Sequence, residues 1–286
     1  MKKSALLVAA LAFGATTAFA QLESKKGEPY LPEAGDWAIG VDATPYLSYF
    51  GNMLNGGTNG SFNWGYTNSG SMITGKMFST ETMAYRAALR IGFGSNTWTE
   101  SSDDQTSTTT PPAKVEDKLK QSWNFIGLGA GIEMRRGKTR LQGYYGGNLV
   151  FWMNGKKDVF TYGNEMSTTY PTPPTTDFQS IAGLPYSNTS PRTTEHKYGS
   201  ELGFGLRGFI GAEYFILPKI SLGGEFGWGL GFSKSGASST TTTAVNAGVL
   251  ETTTTEGGTA SSFKIDVDNN PMGIGSSGAI LIHFHF

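Results

Sequence analysis

In residues 83–94 the odd positions read Met83, Tyr85, Ala87, Leu89, Ile91 and Phe93, and the even ones Ala84, Arg86, Ala88, Arg90, Gly92 and Gly94. A period of two marks a β-strand with two unlike faces. The pattern recurs in 219–233, where Ile220, Leu222, Phe226, Trp228, Leu230 and Phe232 oppose Ser221, Gly223, Glu225, Gly227, Gly229 and Gly231. In 198–216 Leu202, Phe204, Leu206, Ile210 and Tyr214 oppose Glu201, Gly203, Gly205, Arg207, Gly211 and Glu213. A soluble sandwich also alternates, but it sets charge toward solvent and bulk toward its core. Here glycine and charge share a face, which suits the interior of a narrow barrel whose apolar face meets lipid.

Three short breaks, Ser79-Thr80-Glu81-Thr82, Arg136-Gly137-Lys138 and Leu217-Pro218-Lys219, separate alternating runs as hairpin turns do. Long polar segments at 51–70, 99–120, 154–197 and 234–271 hold the Thr-rich and Pro-rich stretches, whose residues favour turns and disorder. Counting through both kinds of break predicts eight strands, near 36–50, 71–79, 83–98, 121–135, 139–153, 198–216, 219–233 and 273–286. Short and long connections alternate, so the expected fold is an all-β, antiparallel, up-and-down transmembrane barrel with short periplasmic turns and four long extracellular loops. Both termini are then periplasmic. Pro45 cannot donate to a ladder and requires an irregularity in the first strand.

The start of the chain agrees. Met1-Lys2-Lys3, an apolar run from Ala5 to Ala15 and Ala18-Phe19-Ala20 read as a signal peptide over 1–20. Residues 21–35 then form a periplasmic lead-in and 36–286 the barrel domain, in the bacterial outer membrane. No later segment has the roughly 20 consecutive apolar residues of a membrane helix. The chain lacks cysteine, so neither disulfides nor a lipid-anchoring cysteine is available. Basic and acidic residues number 22 and 23, leaving no field to attract nucleic acid.

The signal, the eight-strand count, the alternation of turns with long loops and the terminal Phe286 together resemble the small outer-membrane barrels of the OmpA-transmembrane-domain and OmpX type. The resemblance covers about 36–286 and is one of architecture. It implies insertion by the barrel-assembly machinery, which in that family reads the last strand, here Ile280, Ile282, Phe284 and Phe286. It departs from OmpA in having no peptidoglycan-binding domain after the barrel. The implied surroundings are outer-membrane lipid and lipopolysaccharide.

Inward parity collects a lumen charge network of Asp42, Lys76, Arg86, Arg90, Glu133, Arg135, Arg140, Glu201, Arg207, Glu213 and Glu225, with His283 and His285 on the same face. Buried charges need partners, so the expectation is a salt-bridged plug, with a selectivity lining for a small pore as the alternative. Trp37, Tyr85, Tyr214, Phe284 and Phe286 form an aromatic girdle at the inner strand ends. Trp98, Trp123 and Trp152 have lumen parity at the outer ends, where they either cap the mouth or begin the loops. His283-x-His285 offers two ligands on one face, but no cysteine or carboxylate cluster completes a metal site in sequence. Ser221, Glu225 and His283 supply the types of a Ser-His-acid set without a motif. No catalytic residue, cofactor or metal is therefore expected. The leading function is a non-enzymatic barrel whose loops contact an extracellular ligand or envelope complex; a narrow porin-like channel and a lipid-modifying enzyme follow.

Overall fold

The computed structural model describes residues 23–24, 27–56, 73–182, 186–267 and 279–286. Twelve strands make one antiparallel sheet: β1 (Trp37–Asp42), β2 (Ile73–Thr80), β3 (Met83–Asp103), β4 (Lys114–Arg136), β5 (Leu141–Thr161), β6 (Arg192–Lys197), β7 (Glu201–Leu217), β8 (Ile220–Ser235), β9 (Ser239–Asn246), β10 (Val249–Glu256), β11 (Ala260–Val267) and β12 (Ala279–His285). Two helices, α1 (Thr44–Leu54) and α2 (Phe178–Ala182), complete the described elements. Pairing runs β1-β2-β3-β4-β5-β7-β8-β12, and β12 pairs β1, so the sheet returns on itself as a ring. The ring is locked at the chain end, where the amides of Trp37 and Phe286 donate to each other's carbonyls at 2.8 and 2.9 Å.

The all-antiparallel class stands; the count of eight strands is corrected to twelve among the described residues. The additional strands β6, β9, β10 and β11 lie in the segments read from sequence as loops 154–197 and 234–271. For β6, β9 and β10 threonine explains the difference, because a β-branched residue serves a pleated surface as readily as a polar turn. Thr240–Thr243 pair with Thr252–Thr255, and the hydroxyls of Thr241 and Thr254 meet at 3.0 Å. The segment 99–120 is likewise mostly ladder. β3 and β4 pair from Met83↔Met134 to Asp103↔Lys114, which leaves only residues 104–113 to turn. The first strand stops at Asp42 and does not reach residue 50. Pro45 falls in the first turn of α1, where its missing N–H costs no helical bond. The signal 1–20, residues 57–70 of the first long segment and 273–278 of the last expected strand lie outside the described residues.

The three hairpin turns fall where the breaks in alternation put them, with Gly137 at φ 141° and Lys219 at φ 65°. Part of the lead-in folds against this turn end. Gly35 donates to the Phe78 carbonyl, Phe78 to that of Asp36, and the Asp36 carboxylate holds Lys219 at 2.7 Å.

Strand faces follow the alternation. On β3 the even residues from Ala84 to Gly94 point into the ring and the odd ones from Tyr85 to Phe93 point out, Phe93 being 81% exposed. On β8 Phe226, Trp228 and Phe232 are exposed, while Ser221, Gly223 and Glu225 are buried. Apolar side chains thus clothe the outside near the turn end. No helix among the described residues is long and apolar enough to cross a membrane, which says nothing about strands.

Candidate functional site

The interior of the ring near the turn end is filled by charge. Lys76 on β2 reaches Glu133 at 3.0 Å and Glu213 at 3.6 Å, all three side chains having no exposed surface. Arg135, two residues from Glu133 on the same face of β4, contacts Glu133 at 2.8 Å and Glu213 at 2.7 Å. Arg86 bridges Glu133 at 3.4 Å and Glu225 at 2.9 Å, and Arg207 reaches Glu225 at 2.6 Å. Four cations therefore share three carboxylates, and each carboxylate meets at least two of them. An unpaired buried ion costs several kcal/mol, on the order of the whole margin of a small domain, so this mutual pairing is the condition for the interior to exist.

His283 and His285 extend the network along β12. His283 Nδ1 lies 3.0 Å from the Glu213 carboxylate. The Ser221 hydroxyl donates to Glu213 and also lies 3.0 Å from His285 Nε2. A hydroxyl has one proton, and Glu213 takes it; His285 must then donate its Nε2–H to Ser221 Oγ. Gly40 on β1 makes the room. A methyl group there would come within 2.4 Å of Thr74 Oγ1 and 2.5 Å of the His283 ring.

Aromatic rings layer the same space. Arg86 lies 4.0 Å from the centre of the Phe209 ring, Lys76 4.8 Å from Tyr144, and Arg135 between Phe78 and Phe215 at 5.3 and 5.8 Å. A desolvated cation over a ring gains roughly 2 kcal/mol, so these rings supplement the carboxylates where the network has excess positive charge. Inward parity alone marks Phe209, Phe215 and Tyr144 as interior, a signal hidden in the sequence by the expectation that only small residues fit.

Of the expected network, Lys76, Arg86, Glu133, Arg135, Arg207, Glu213 and Glu225 come together. Two others do not. Arg140 is at the turn end, where its guanidinium donates to the Phe215 and Ile216 carbonyls and covers the Tyr30 ring at 3.9 Å. Strand ends expose carbonyls, and a long cation near one bonds it in preference to reaching inward. Glu201 sits at the opposite end and accepts from Trp152 Nε1 at 3.3 Å and Asn154 at 3.0 Å. Arg90 is half-buried one level above the network, over the Phe125 ring at 4.6 Å. Asp42 pairs through its backbone with Leu281, and its side chain lies outside the described residues.

Trp37, Tyr85, Phe284 and Phe286 are exposed on the outer surface at the turn end, with Tyr214 half-buried beside Arg140. Ile280 and Phe284 also face out on β12, and Ile282 with them. The three inward-parity tryptophans separate. Trp152 is buried against Gly203, Trp123 covers Gly92 and Gly94, and Trp98 joins a second core.

That second core stands beyond the far end of the ring, on the extensions of β3, β4 and β5. Leu119, Phe160 and Phe178 are its buried centre, with Trp98, Tyr162 and Tyr186 around them. Asp117 ties the 163–176 segment down by accepting from the amides of Gly163 at 2.8 Å and Thr176 at 2.7 Å. Asp158 accepts from Tyr198, which in turn accepts from Tyr186. His196 packs on both tyrosines and contacts the Thr240 hydroxyl at 2.8 Å. Burial pushes its pKa below the usual imidazole value of 6.5; Lys156 adds to this and Asp158 opposes it. The Pro-rich and Thr-rich stretches read as favouring disorder are thus partly built into a small packed cap. No family model and no curated protein matches this chain.

Proposed function

We propose that the chain is an integral bacterial outer-membrane protein, in which the eight cyclically paired strands cross the bilayer as a barrel of the OmpA-transmembrane-domain and OmpX kind. The ion-pair network closes the lumen, and the sheet extension and cap on the far side serve surface contact or envelope integrity. The observation that carries the reading is the inversion of polarity. Leu89, Ile91, Phe93, Leu149, Ile210, Phe226 and Trp228 are exposed on the outside while Lys76, Glu133, Arg135 and Glu213 are buried inside. On β3 the outward apolar run from Met83 to Phe93 gives about 34 Å along the strand at ~3.4 Å per residue, or about 26 Å of height at a tilt near 40°. That is the height of the apolar band of an outer-membrane barrel. Beyond it the outward residues turn polar, with Ser95, Thr97 and Thr99 on β3.

Channel and enzyme readings are less well supported. A solute path down the axis would have to break Arg86–Glu225 and Lys76–Glu133 contacts that have no water-exposed substitute. Ser221 donates to a carboxylate and accepts from a histidine, the reverse of a serine activated by a base. The Ser221 side chain is also fully buried. The membrane reading is tested by carbonate extraction and by comparing boiled with unboiled samples on a denaturing gel. Carbonate-resistant, heat-modifiable protein is expected; release into the soluble fraction would end it. In planar bilayers the purified chain is expected to show no steady conductance.

A further inference from the structure

Where β5 leaves the ring it changes partner, from β7, ending at Asn154↔Glu201, to β6, beginning at Lys157↔Lys197. The crossing residues 198–200 leave a notch of about 290 Å³ on the sheet surface, lined by Ser122, Asn124, Gly155, Lys156, Lys157 and Lys197 among others. Gly155 keeps its floor open, since a methyl there would meet Asn124 Oδ1 at 3.0 Å. The notch lies immediately beyond the apolar band, whose last outward residues here are Ile126 on β4 and Met153 on β5.

Its charge is lopsided. Lys157 and Lys197 are direct cross-strand partners, an arrangement of like charges that destabilises a sheet. Glu195 touches both, at 2.7 and 3.1 Å, and is one carboxylate for two ammoniums. Lys156, by contrast, pairs with Trp123 on the opposite face and lies 4.5 Å from the Tyr198 ring centre. On the neighbouring β4 the outward Ser122 stands opposite Lys157 and donates to its carbonyl at 3.3 Å, and Lys120 brings a third ammonium to the same outward face.

We infer that this notch binds the phosphate of an outer-leaflet lipid headgroup. The inference rests on the membrane reading, because only a bilayer whose apolar band ends at Ile126 and Met153 places headgroups at this height. Cations near an anionic membrane surface each add measurably to binding, and phosphate supplies acceptors for the outward ammoniums of Lys120, Lys157 and Lys197. The notch would also take up the repulsion that Glu195 only half relieves.

The test uses the full chain in dodecyl maltoside, titrated with a bis-phosphorylated outer-leaflet glycolipid (lipid A), the same lipid after phosphatase treatment, and inorganic phosphate. Retention is read by native mass spectrometry. The triple variant Lys120→Gln, Lys157→Gln, Lys197→Gln is compared with Lys234→Gln, which removes an outward cation elsewhere above the band. Phosphorylated lipid should bind the triple variant about tenfold more weakly than the parent or Lys234→Gln, and the dephosphorylated lipid should not distinguish them. Equal binding of the two lipids, or no effect of the triple substitution, would overturn the inference. Displacement by millimolar phosphate without lipid preference would assign a free-anion site and overturn the lipid source. The heat-modifiable gel shift of each sample separates the two levels: a folded barrel without phosphate discrimination sinks only the notch, whereas a parent chain with no such shift sinks the membrane reading and the notch with it.

Discussion

Strand β4 builds two opposite interiors. Near the turn end it sends Glu133 and Arg135 inward and Ile132 and Met134 outward; near its start it sends Leu119 inward and Lys118 and Lys120 outward. The ladder with β3 is continuous between them, so nothing in the backbone marks the change. What changes is the medium each outward face suits. Against lipid, apolar side chains gain nothing by turning inward, and the interior is left to polar groups that saturate one another. Against water, burial of Leu119, Phe160 and Phe178 regains its usual worth of roughly 1.5–3 kcal/mol per side chain, and charge returns to the surface. "Hydrophobic inside" is therefore a statement about the surroundings of a fold.

The sharpest way to break this comparison is inside the ring. Glu225→Gln strips Arg207 of its only carboxylate among the described residues and leaves Arg86 with Glu133 alone. Breaking such a pair costs about 3–5 kcal/mol, and the urea midpoint of the lipid-reconstituted barrel should fall accordingly. Arg207→Ala should cost less, because Glu225 keeps Arg86. An Arg207→Ala effect equal to that of Glu225→Gln would show that the charges act independently.

The cap is the other half. Leu119→Ala should cost it about 2–5 kcal/mol while leaving the barrel intact. The expected signature is faster proteolysis within 163–191 with an unchanged heat-modifiable gel shift. Joint loss of both would mean that ring and cap fold as one unit.

Outward charge gives an intermediate effect and tests where the medium changes. Leu89→Lys and Thr97→Lys share one face of β3, eight residues apart. A lysine at the bilayer midplane costs about 2–4 kcal/mol, while at a solvent-facing position the change should stay within about 0.5 kcal/mol. Equal stabilities in lipid by urea unfolding would remove the band from β3.

The smallest effect belongs to pH. His196 is held below 6.5 by burial, so between its folded value and 6.5 the unfolded cap binds more protons than the folded one. Cap stability is then level above pH 6.5, declines as pH falls toward the folded value, and levels again below it. Hydrogen exchange of the β6 and β9 amides at pH 7.5 and 5.5 reads this, and His196→Gln should flatten it.

The alternation of Arg86 with Tyr85 and of Glu213 with Tyr214 determined, from sequence, which side chains share a face, and the breaks at 79–82, 136–138 and 217–219 determined the turns. Those are local properties, fixed by a period of two and by Gly137 and Pro218 at the corners. Membership of the charged face was legible for the same reason. Its pairing was not: Lys76 meets Glu133 and Glu213 from strands 57 and 137 residues away, a proximity set by register and by closure of β12 on β1. Closure also placed His283 over Gly40 and left Arg140 and Glu201 at opposite ends, beyond reach of the network. The threonine runs were misleading because the same residue satisfies a turn or a ladder, and only the presence of a partner strand, β9 for β10 and β6 for β9, selects between them.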